Sequence, residues 1–377
     1  MGDRLRILQF SQLINRNDFM DVIVRNADPK EFVMLACTFT RESNIQNPGY
    51  EKDGFDHVSM DLPFTKSGFF RAIFRLSSII RQKKIDIIHA HHYYESFIAA
   101  LALMGTSGCR LMITRHYHNE LLLTTRGPKL KLYLAIERFV NRKASLIISP
   151  STQITELLIQ LGADSKKIRH IPYGFDFSAK KYFRIPDDEI KKFREELGVR
   201  GDEILIGNFG RHHPIKGQDL MLRSFAQIIR RHNARLIMVG DGPYHDTLVR
   251  LVNEAGLAKR VIFTGWQKDI RPFLSAVDLV WHPTLQEAFP QIMIEAMALS
   301  RPLFITPVSG ATDVVTDGVN GFILPFNQPD VWAEKISTVL ETKAMLTTVG
   351  ENARRSVASL DIGIVIKKIE AAYRECV

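Results

Sequence analysis

The chain has 377 residues, 45% of them apolar, and a formal net charge of +9. This length exceeds one ordinary core and predicts two domains. Three scattered cysteines, Cys37, Cys109 and Cys376, exclude a disulfide framework and indicate a reducing compartment. The amino terminus is too weakly apolar for a signal peptide, and the longest apolar run, residues 97–104, is far shorter than the roughly 20 residues of a membrane span. We therefore expect a cytoplasmic protein.

Short apolar, β-branched runs alternate with helical patterns along the chain, which predicts an α/β protein with parallel sheets covered by helices. In the first half the predicted strands are LRILQF, FVMLACTF, DIIHAH, RLMITRH, SLIISP and IRHIPYG. In the second half they are ILIGNFGR, ARLIMVGDG, RVIFTG, DLVWHP, RPLFITP and GFILP. The polar stretch 176–200, with a proline before an Asp-rich helix start, is typical of a linker and the entry to a second domain.

Positive charge is concentrated in the first half of the chain. Residues 66–143 hold 14 Lys and Arg against 4 Asp and Glu, which favours an anionic partner. Two helix-like stretches in this region, residues 67–84 and 127–143, mix apolar and basic residues. This pattern suits helices that lie on an anionic membrane surface, and it equally suits helices whose apolar side chains face the domain core.

The loops after the second-half strands carry glycines and cations, and ligands bind beyond the carboxyl ends of parallel strands. GNFGRHHPIKG places Gly210, Arg211 and Lys216 after one strand, and VGDGP places Gly240 after the next. Glycines let the backbone approach a ligand, so the two cations could clamp a diphosphate, although both could also be ordinary surface charges. Neither loop matches a Walker motif or the dinucleotide fingerprint.

EAFPQIMIE, residues 287–295, separates two glutamates by a proline. Pro290 suits the first turn of a helix, so Glu287 should lie in the loop and Glu295 on the helix. Backbone amides at the start of this helix would point at the clamp, namely those of Phe289, Gln291 and Ile292. Because an ionised carboxylate accepts hydrogen bonds from paired sugar hydroxyls, one glutamate could hold a transferred sugar and the other a ribose.

These motifs together resemble those of the family 4 glycosyltransferases, which are retaining, nucleotide-sugar-dependent enzymes of the GT-B fold. The resemblance rests on GRHHPIKG, MVGDGP, VIFTGW and above all EAFPQIMIEAM, and it extends to DIIHAHH and ITRH in the first half. It implies two Rossmann-like domains that face a central cleft. Residues 1–175 would bind the acceptor, residues 176–355 the nucleotide sugar, and the terminal helix, residues 356–377, would cross back to the first domain.

The resemblance also implies roles for individual residues. Arg211 and Lys216 would bind the donor phosphates, and Glu287 would hold the donor sugar and support charge at its anomeric carbon. His116, in TRHYH, would reach the donor sugar from the first domain.

Further residues of the resemblance would complete the donor site. Glu295 would bind the ribose hydroxyls, and the backbone around Trp266 and Gln267 would line the base pocket. A metal is unnecessary if cations and a helix dipole stabilise the leaving diphosphate. HAHH, residues 89–92, has no companion carboxylate or cysteine spacing, and we interpret His212 and His213 as loop residues beside the phosphates, so we expect no metal cofactor.

One departure concerns the loop after the first strand, where the family usually carries a glycine-rich loop. This chain reads FSQLINRNDFMD there, without a glycine. The loop could reshape the acceptor entrance, or NRND, residues 15–18, could simply cap a helix.

We therefore expect a retaining glycosyltransferase that moves a sugar from a nucleoside diphosphate sugar to a hydroxyl acceptor. The acceptor would be a glycan or lipid-linked glycan of cell-surface polysaccharide synthesis, reached from the inner face of the membrane, with no nucleic-acid partner. The alternatives are a GT-B nucleotide-sugar epimerase and a non-catalytic GT-B binding protein. Turnover with the donor alone would identify the epimerase, and the absence of any turnover would identify the binding protein.

Overall fold

The computed structural model describes residues 4–12, 19–39, 50, 53–63, 65–116 and 125–377, so the NRND stretch lies outside the described residues. The chain divides into two compact units. The first unit comprises Met1–Asp176 and Leu360–Val377, and the second unit comprises Phe177–Ser359.

The first unit contains a parallel sheet of seven strands among its described residues, in the order β3-β2-β1-β4-β5-β6-β7. Its central strands are nearly continuous runs of buried residues, as expected for a sheet covered on both faces. The strands are β1 (Leu5–Ser11), β2 (Phe32–Thr38), β3 (Asp56–Ser59), β4 (Ile87–His91), β5 (Arg110–Thr114), β6 (Leu146–Ser149) and β7 (Ile168–His170).

The helices of the first unit begin at local capping signals. Thr65 accepts a hydrogen bond from the amide of Gly68 at the start of α2, and Ser151 does the same for Ile154 at the start of α5. In chain order these helices are α1 (Phe19–Asn26), α2 (Lys66–Lys83), α3 (Tyr93–Ala102), α4 (Gly127–Lys143) and α5 (Thr152–Gln160).

The second unit contains a parallel sheet of six strands in the order β10-β9-β8-β11-β12-β13. Two buried tryptophans, Trp281 and Trp332, meet edge to face in its core at a centroid distance of 6.2 Å. The strands are β8 (Ile204–Phe209), β9 (Ala234–Val239), β10 (Val261–Gly265), β11 (Leu279–His282), β12 (Leu303–Ile305) and β13 (Phe322–Ile323).

Eight helices surround this second sheet within the described part of the chain. The first of them begins after Pro186 with three acidic residues in its first turn, which complement the helix dipole. They are α6 (Asp187–Glu196), α7 (Gln218–Ile228), α8 (His245–Glu254), α9 (Arg271–Ala276), α10 (Gln291–Ala298), α11 (Ala311–Val314), α12 (Pro329–Leu340) and α13 (Lys343–Ser356).

The last helix, α14 (Ile362–Cys376), belongs to the first unit although it follows the second unit in the chain. Asp361 caps it by accepting from the amide of Gly363. Its apolar face lies in the core cluster that also holds Ile7, Ile87 and Met112. The chain therefore returns to its first unit, as the resemblance implied.

The fold class expected from the sequence is confirmed, and every predicted strand is present. The strand β3 was missed, because DHVS is a short edge strand with one exposed and three half-buried residues and gives little apolar signal. Pro290 precedes helix α10 as its N-cap residue and does not lie in the first turn. None of the helices in the described ranges is both long enough and apolar enough to cross a bilayer.

Candidate functional site

The loops after β8, β9 and β10 are joined by backbone hydrogen bonds at the carboxyl ends of the strands. The amide of Gly210 donates to Val239, and the amide of Gly240 donates to the carbonyl of Gly265. Gly240 has a φ of +144°, and a Cβ built there would lie 2.0 Å from the Gly210 carbonyl oxygen. The two loops approach so closely that only glycine fits at Gly240.

A cavity of about 480 Å³ opens beside these loops in the second unit. Its lining includes seven of the residues predicted to bind the donor: Gly210, Arg211, Gly240, Trp266, Gln267, Ile292 and Glu295. Trp266 is 73% exposed, so its indole presents an aromatic surface to a ligand. The side chain of Gln267 donates instead to the backbone of Thr264, at 2.8 Å.

Glu295 lies in the middle of helix α10 and is mostly buried. Its Oε1 accepts a hydrogen bond from Lys181 Nζ at 3.1 Å. Burial disfavours the charged form of Lys181, yet the carboxylate of Glu295 raises the pKa of this lysine above its ordinary value. Glu295 thus lies at the cavity wall with one carboxylate oxygen engaged by Lys181.

Glu287 forms the centre of a second ionic group. Lys216 Nζ and His282 Nε2 both contact Glu287 Oε1, the histidine at 3.1 Å. Burial alone would raise the pKa of Glu287, but His282 and Lys216 together lower it to about 2. The carboxylate is therefore ionised throughout the physiological range.

Backbone contacts bring Lys216 and Glu287 together. The amide of Leu285 donates to the carbonyl of Ile215 at 2.7 Å, so the loop after β11 pairs with the loop after β8. Gly217, with a φ of +63°, would place a Cβ 2.3 Å from the Pro283 carbonyl oxygen. A larger residue at 217 would separate the two loops and with them the ion pair.

The remaining predicted residues surround the start of α10. Phe289 and Pro290 are buried, whereas Gln291 is exposed at the first helical position. Phe289 packs so tightly against Gly310 that a Cβ on this glycine would lie 2.4 Å from its ring. Phe289 and Pro290 thus fix the direction of the helix, and Ile292 alone of the three predicted amide donors lines the cavity.

His116 follows strand β5 in the first unit. Its Nε2 lies 2.7 Å from His91 Nδ1, and its Nδ1 lies 2.7 Å from the hydroxyl of Tyr173. Both ring nitrogens are therefore engaged within the first unit. A ligand that contacts this ring through nitrogen must take the place of one of these partners.

His212, Asp241 and His245 form a group with metal-ligand chemistry, since their ligand atoms lie within 4.8 Å of one another. The Nδ1 atoms of the two histidines are 3.1 Å apart. A metal on His212 Nδ1 would place a proton on its buried Nε2, which has no hydrogen-bond partner in the described structure, whereas metal-bound histidines usually donate that proton. A hydrogen bond donated by His212 Nδ1 to His245 Nδ1 avoids this buried, unpaired N–H and fits the group better than a metal does.

Sequence reasoning missed three residues that contact the predicted site. His282 ends the apolar strand DLVWH, so a polar residue at a strand end was an available signal. Asp241 directly follows the predicted Gly240 in VGDGP and lines the cavity. Lys181 gave no signal, because 114 residues separate it from Glu295.

Two family models match the chain in succession. Glycosyltransferase Family 4 matches residues 23–179, and Glycosyl transferases group 1 matches residues 189–356. The first match lies in the first unit except for its last three residues, and the second lies entirely within the second unit. The cavity and the Lys216–Glu287–His282 group both lie in the second match.

Characterised relatives and solved structures agree with this assignment. N-acetyl-alpha-D-glucosaminyl L-malate synthase of Bacillus anthracis is 25% identical over 284 residues, which are 75% of this chain and 72% of the relative. D-inositol 3-phosphate glycosyltransferase of Mycobacterium marinum is 29% identical over 297 residues, covering 75% of this chain and 62% of the relative. The structure of Anabaena HepE with UDP and glucose has a TM-score of 0.82 at 23% identity, covers 98% of this chain and all of that chain, and shows the same fold. The protein belongs to the family 4 type of glycosyltransferases and is an enzyme of the GT-B fold.

Proposed function

We propose that this glycosyltransferase moves a sugar from a nucleoside diphosphate sugar to a hydroxyl acceptor, with retention of the anomeric configuration. The observation that carries the proposal is the ionised Glu287, shared by Lys216 and His282 in the unit that also holds the cavity with Glu295 in its wall. The solved structures of HepE with UDP and with UDP-glucose support a uridine nucleotide.

The diphosphate would bind between the loop after β8 and the start of α10. Arg211 is exposed at the cavity and makes no ion pair with a described residue, so its guanidinium is available to phosphate oxygens. Lys216 has three N–H donors, and Glu287 engages one of them. The amide of Ile292 and the dipole of α10 would add to the positive potential at the phosphates.

The nucleoside would occupy the cavity itself. The second oxygen of Glu295 would accept from a ribose hydroxyl while Lys181 holds the first oxygen in place. The exposed face of Trp266 and the backbone at Gln267 would contact the base. This separates the two glutamates by role, with Glu295 at the nucleoside and Glu287 at the sugar.

In the reaction, the bond between the anomeric carbon and the diphosphate oxygen breaks, and its electron pair leaves with the diphosphate. The acceptor oxygen bonds to the same face of the anomeric carbon, and its proton passes to the departing phosphate. Arg211 and Lys216 would stabilise the charge that builds on the diphosphate, and Glu287 would stabilise positive charge on the sugar. These charges supply the electrostatics without a metal ion.

The acceptor would bind to the first unit, where His116 would contact the donor sugar after exchange of Tyr173 or His91 as its partner. We assign as acceptor a glycan or lipid-linked glycan of cell-surface polysaccharide synthesis. The relatives from Bacillus and Mycobacterium, by contrast, carry the names of malate and inositol phosphate glycosyltransferases.

A panel of UDP, GDP and ADP sugars tests the proposal, with release of the nucleoside diphosphate measured and the product anomer assigned by NMR. We expect turnover with a UDP sugar and a product of the same anomeric configuration. Glu287→Ala should abolish transfer with only modest loss of UDP affinity by calorimetry, because its role falls at the reacting sugar. Glu334→Ala is the control, since Glu334 forms an exposed ion pair with Arg231. An inverted product, or an epimerised donor without acceptor, would contradict the proposal.

The first unit would dock on an anionic membrane surface through helix α2. The structure separates the apolar residues of this helix into two sets. Leu76, Ile79 and Ile80 are buried in the unit. Phe70 and Phe74 are instead 64% and 63% exposed, and the centroids of their rings are 5.1 Å apart. Exposed aromatic rings with cations beside them are typical of an interfacial helix.

The cations of the same helix and of its C-cap residue complete this surface. Arg71, Arg75, Arg81 and Lys84 are all exposed. Each cation near an anionic bilayer contributes about 1 kcal/mol, so four acting together would give salt-sensitive binding.

Liposome sedimentation at low and high salt tests this surface. We expect binding to anionic vesicles, weaker binding at high salt, and loss of binding in Phe70→Ser/Phe74→Ser. Replacement of the exposed Phe183 of the second unit by Ser is the control. Equal recovery with neutral and anionic vesicles would show that the surface does not dock on lipid.

A further inference from the structure

A chain of seven side chains, joined by hydrogen bonds, runs through the first unit at the carboxyl ends of β1, β4 and β5. Consecutive members are 2.7 or 2.8 Å apart, and five of the seven are fully buried or nearly so. In order the members are Thr114, His89, Tyr373, Gln9, His91, His116 and Tyr173.

On one side of Gln9 the donors and acceptors are determined by the single proton of Tyr373. Gln9 Nε2 donates to the Tyr373 hydroxyl, which therefore donates its own proton to His89 Nδ1. A neutral His89 then carries its proton on Nε2 and donates to Thr114 Oγ1. His89 is thus the Nε2–H tautomer.

On the other side of Gln9 the amide oxygen sets the direction. Gln9 Oε1 can only accept, so His91 Nε2 must carry a proton. The Nδ1 of a neutral His91 then accepts from His116 Nε2, and His116 Nδ1 accepts from the Tyr173 hydroxyl. His91 and His116 are thus Nε2–H tautomers as well.

All three imidazoles are neutral, which this pattern requires. Burial lowers the pKa of His89 to about 3, and burial first and neighbouring histidines second lower the pKa of His91 and His116 well below the ordinary value. A protonated His91 would turn an Nδ1–H towards the Nε2–H of His116, and a protonated His89 or His116 would take the acceptor away from the proton of its tyrosine partner.

We propose that Gln9 is a positioning residue that holds His91 and His116 as Nε2–H tautomers, so that His116 offers Nδ1 as a hydrogen-bond acceptor. Gln9 can do this because its side chain ends in both a donor and an acceptor. The donor contacts Tyr373 on one side of the hydrogen-bonded row, and the acceptor contacts His91 on the other side. The consequence of this tautomer for sugar transfer rests on the proposed function. A sugar hydroxyl that replaces Tyr173 must donate to His116, and His116 cannot donate to that hydroxyl.

Gln9→Met removes both amide groups while nearly conserving the volume of the side chain. His91 Nε2–H would then be a buried donor without its acceptor, which costs more than a buried acceptor without a donor. We therefore expect His91 and His116 to switch together to Nδ1–H. His89 should keep Nε2–H, because Tyr373 still donates to it.

Tyr373→Phe is the matched control. It removes a hydroxyl from the same row of hydrogen-bonded side chains, but on the side of Gln9 away from His91. His91 and His116 should therefore keep the Nε2–H tautomer. The exposed His170 serves as an internal reference in every spectrum.

Long-range proton–nitrogen NMR of the histidine rings in the full chain reads the tautomers without any substrate. Three Nε2–H rings in the wild type, with a switch of His91 and His116 in Gln9→Met alone, support the proposal. Any Nδ1–H ring among the three in the wild type, or unchanged tautomers in folded Gln9→Met, would overturn it. If Gln9→Met does not fold, the wild-type spectrum still decides the assignment.

Transfer kinetics then test the consequence for the reaction. In Gln9→Met we expect kcat to fall about tenfold, on the scale of one hydrogen bond, with unchanged UDP affinity. Tyr373→Phe should keep kcat near the wild-type value. Correct tautomers in an enzyme that transfers no sugar would refute the proposed function and leave the tautomer assignment intact, so the two failures are distinguishable.

Discussion

Both units place polar side chains at the carboxyl ends of the central strands of a parallel sheet, but they satisfy those side chains in opposite ways. In the first unit Gln9, His89 and His91 are uncharged and form hydrogen bonds with one another and with Tyr373. In the second unit Glu287 forms an ion pair with Lys216, and the pKa of Glu287 is lowered to about 2. The same position in a similar sheet thus supports a neutral network in one unit and an ionic site in the other.

The difference follows from what each group has to contact. A fully buried group is cheapest when it is neutral and its hydrogen bonds are complete. Glu287 is only partly exposed, yet two cationic or donor partners on one oxygen keep it ionised. The second unit can therefore present charge to a diphosphate, whereas the first unit presents directed hydrogen bonds.

After the loss of transfer expected for Glu287→Ala, the largest expected effect comes from removal of Lys216, the cation on the ionic side of this comparison. Lys216→Ala should lower kcat by about 100-fold or more, since the lysine acts on charge that builds in the transition state. Steady-state kinetics of the variant, with the nucleotide sugar that the wild-type enzyme uses, measures this fall in kcat. Arg250→Ala, which breaks the exposed pair of Arg250 with Glu254, should leave kcat unchanged. A near-normal kcat for Lys216→Ala would show that Lys216 does not act in the transfer reaction.

A smaller effect should separate the two glutamates of the second unit. Glu295→Ala should weaken UDP binding by about 10- to 100-fold, the range of hydrogen bonds to a charged group. Calorimetry with UDP measures the change. Lys181→Met serves as a matched variant, because it leaves the carboxylate in place without its partner. If Glu287→Ala weakened UDP binding more than Glu295→Ala did, the assignment of the pair would be reversed.

The smallest effect concerns the pH dependence of stability, in which the two units should differ in sign. Burial raises the pKa of Glu95 in the first unit to about 7, although backbone amides of Glu95 and Gln12 oppose this. The folded state then binds the proton more tightly than the unfolded state, so Glu95 lowers stability as the pH rises from about 4.5 to 7. Glu287 acts oppositely, because its stabilising contribution is present above about pH 4.5 and is lost as the pH falls towards 2.

Thermal unfolding from pH 4.5 to 7 measures the contribution of Glu95. Glu95→Gln should flatten the decline of the unfolding temperature over this window, whereas Glu156→Gln, at an exposed position of α5, should not change it. An identical decline in wild type and Glu95→Gln would show that Glu95 ionises in the folded protein as it does in the unfolded chain.

Local patterns in the sequence determined the elements and the outline of the site. Runs of β-branched residues predicted the strands, and the glycines after them, Gly210 and Gly240, predicted loops whose residues line the cavity. Pro290 separated a loop glutamate from a helical one. These features follow from backbone conformation and side-chain periodicity within a few residues, so they can be read from neighbours in the chain.

Tertiary structure alone decided which side chains meet. Gln9 and Tyr373 are 364 residues apart, and Lys181 and Glu295 are 114 apart. The exposure of Phe70 and the burial of Leu76 within one amphipathic helix depended on which face α2 turns to the sheet. The hydrogen-bond partners of the two His116 ring nitrogens depend on strand order, and the tautomer that the network imposes depends also on the return of α14. The physical reason is that these hydrogen bonds form between groups that are close in space but far apart in the chain, so the local sequence does not encode them.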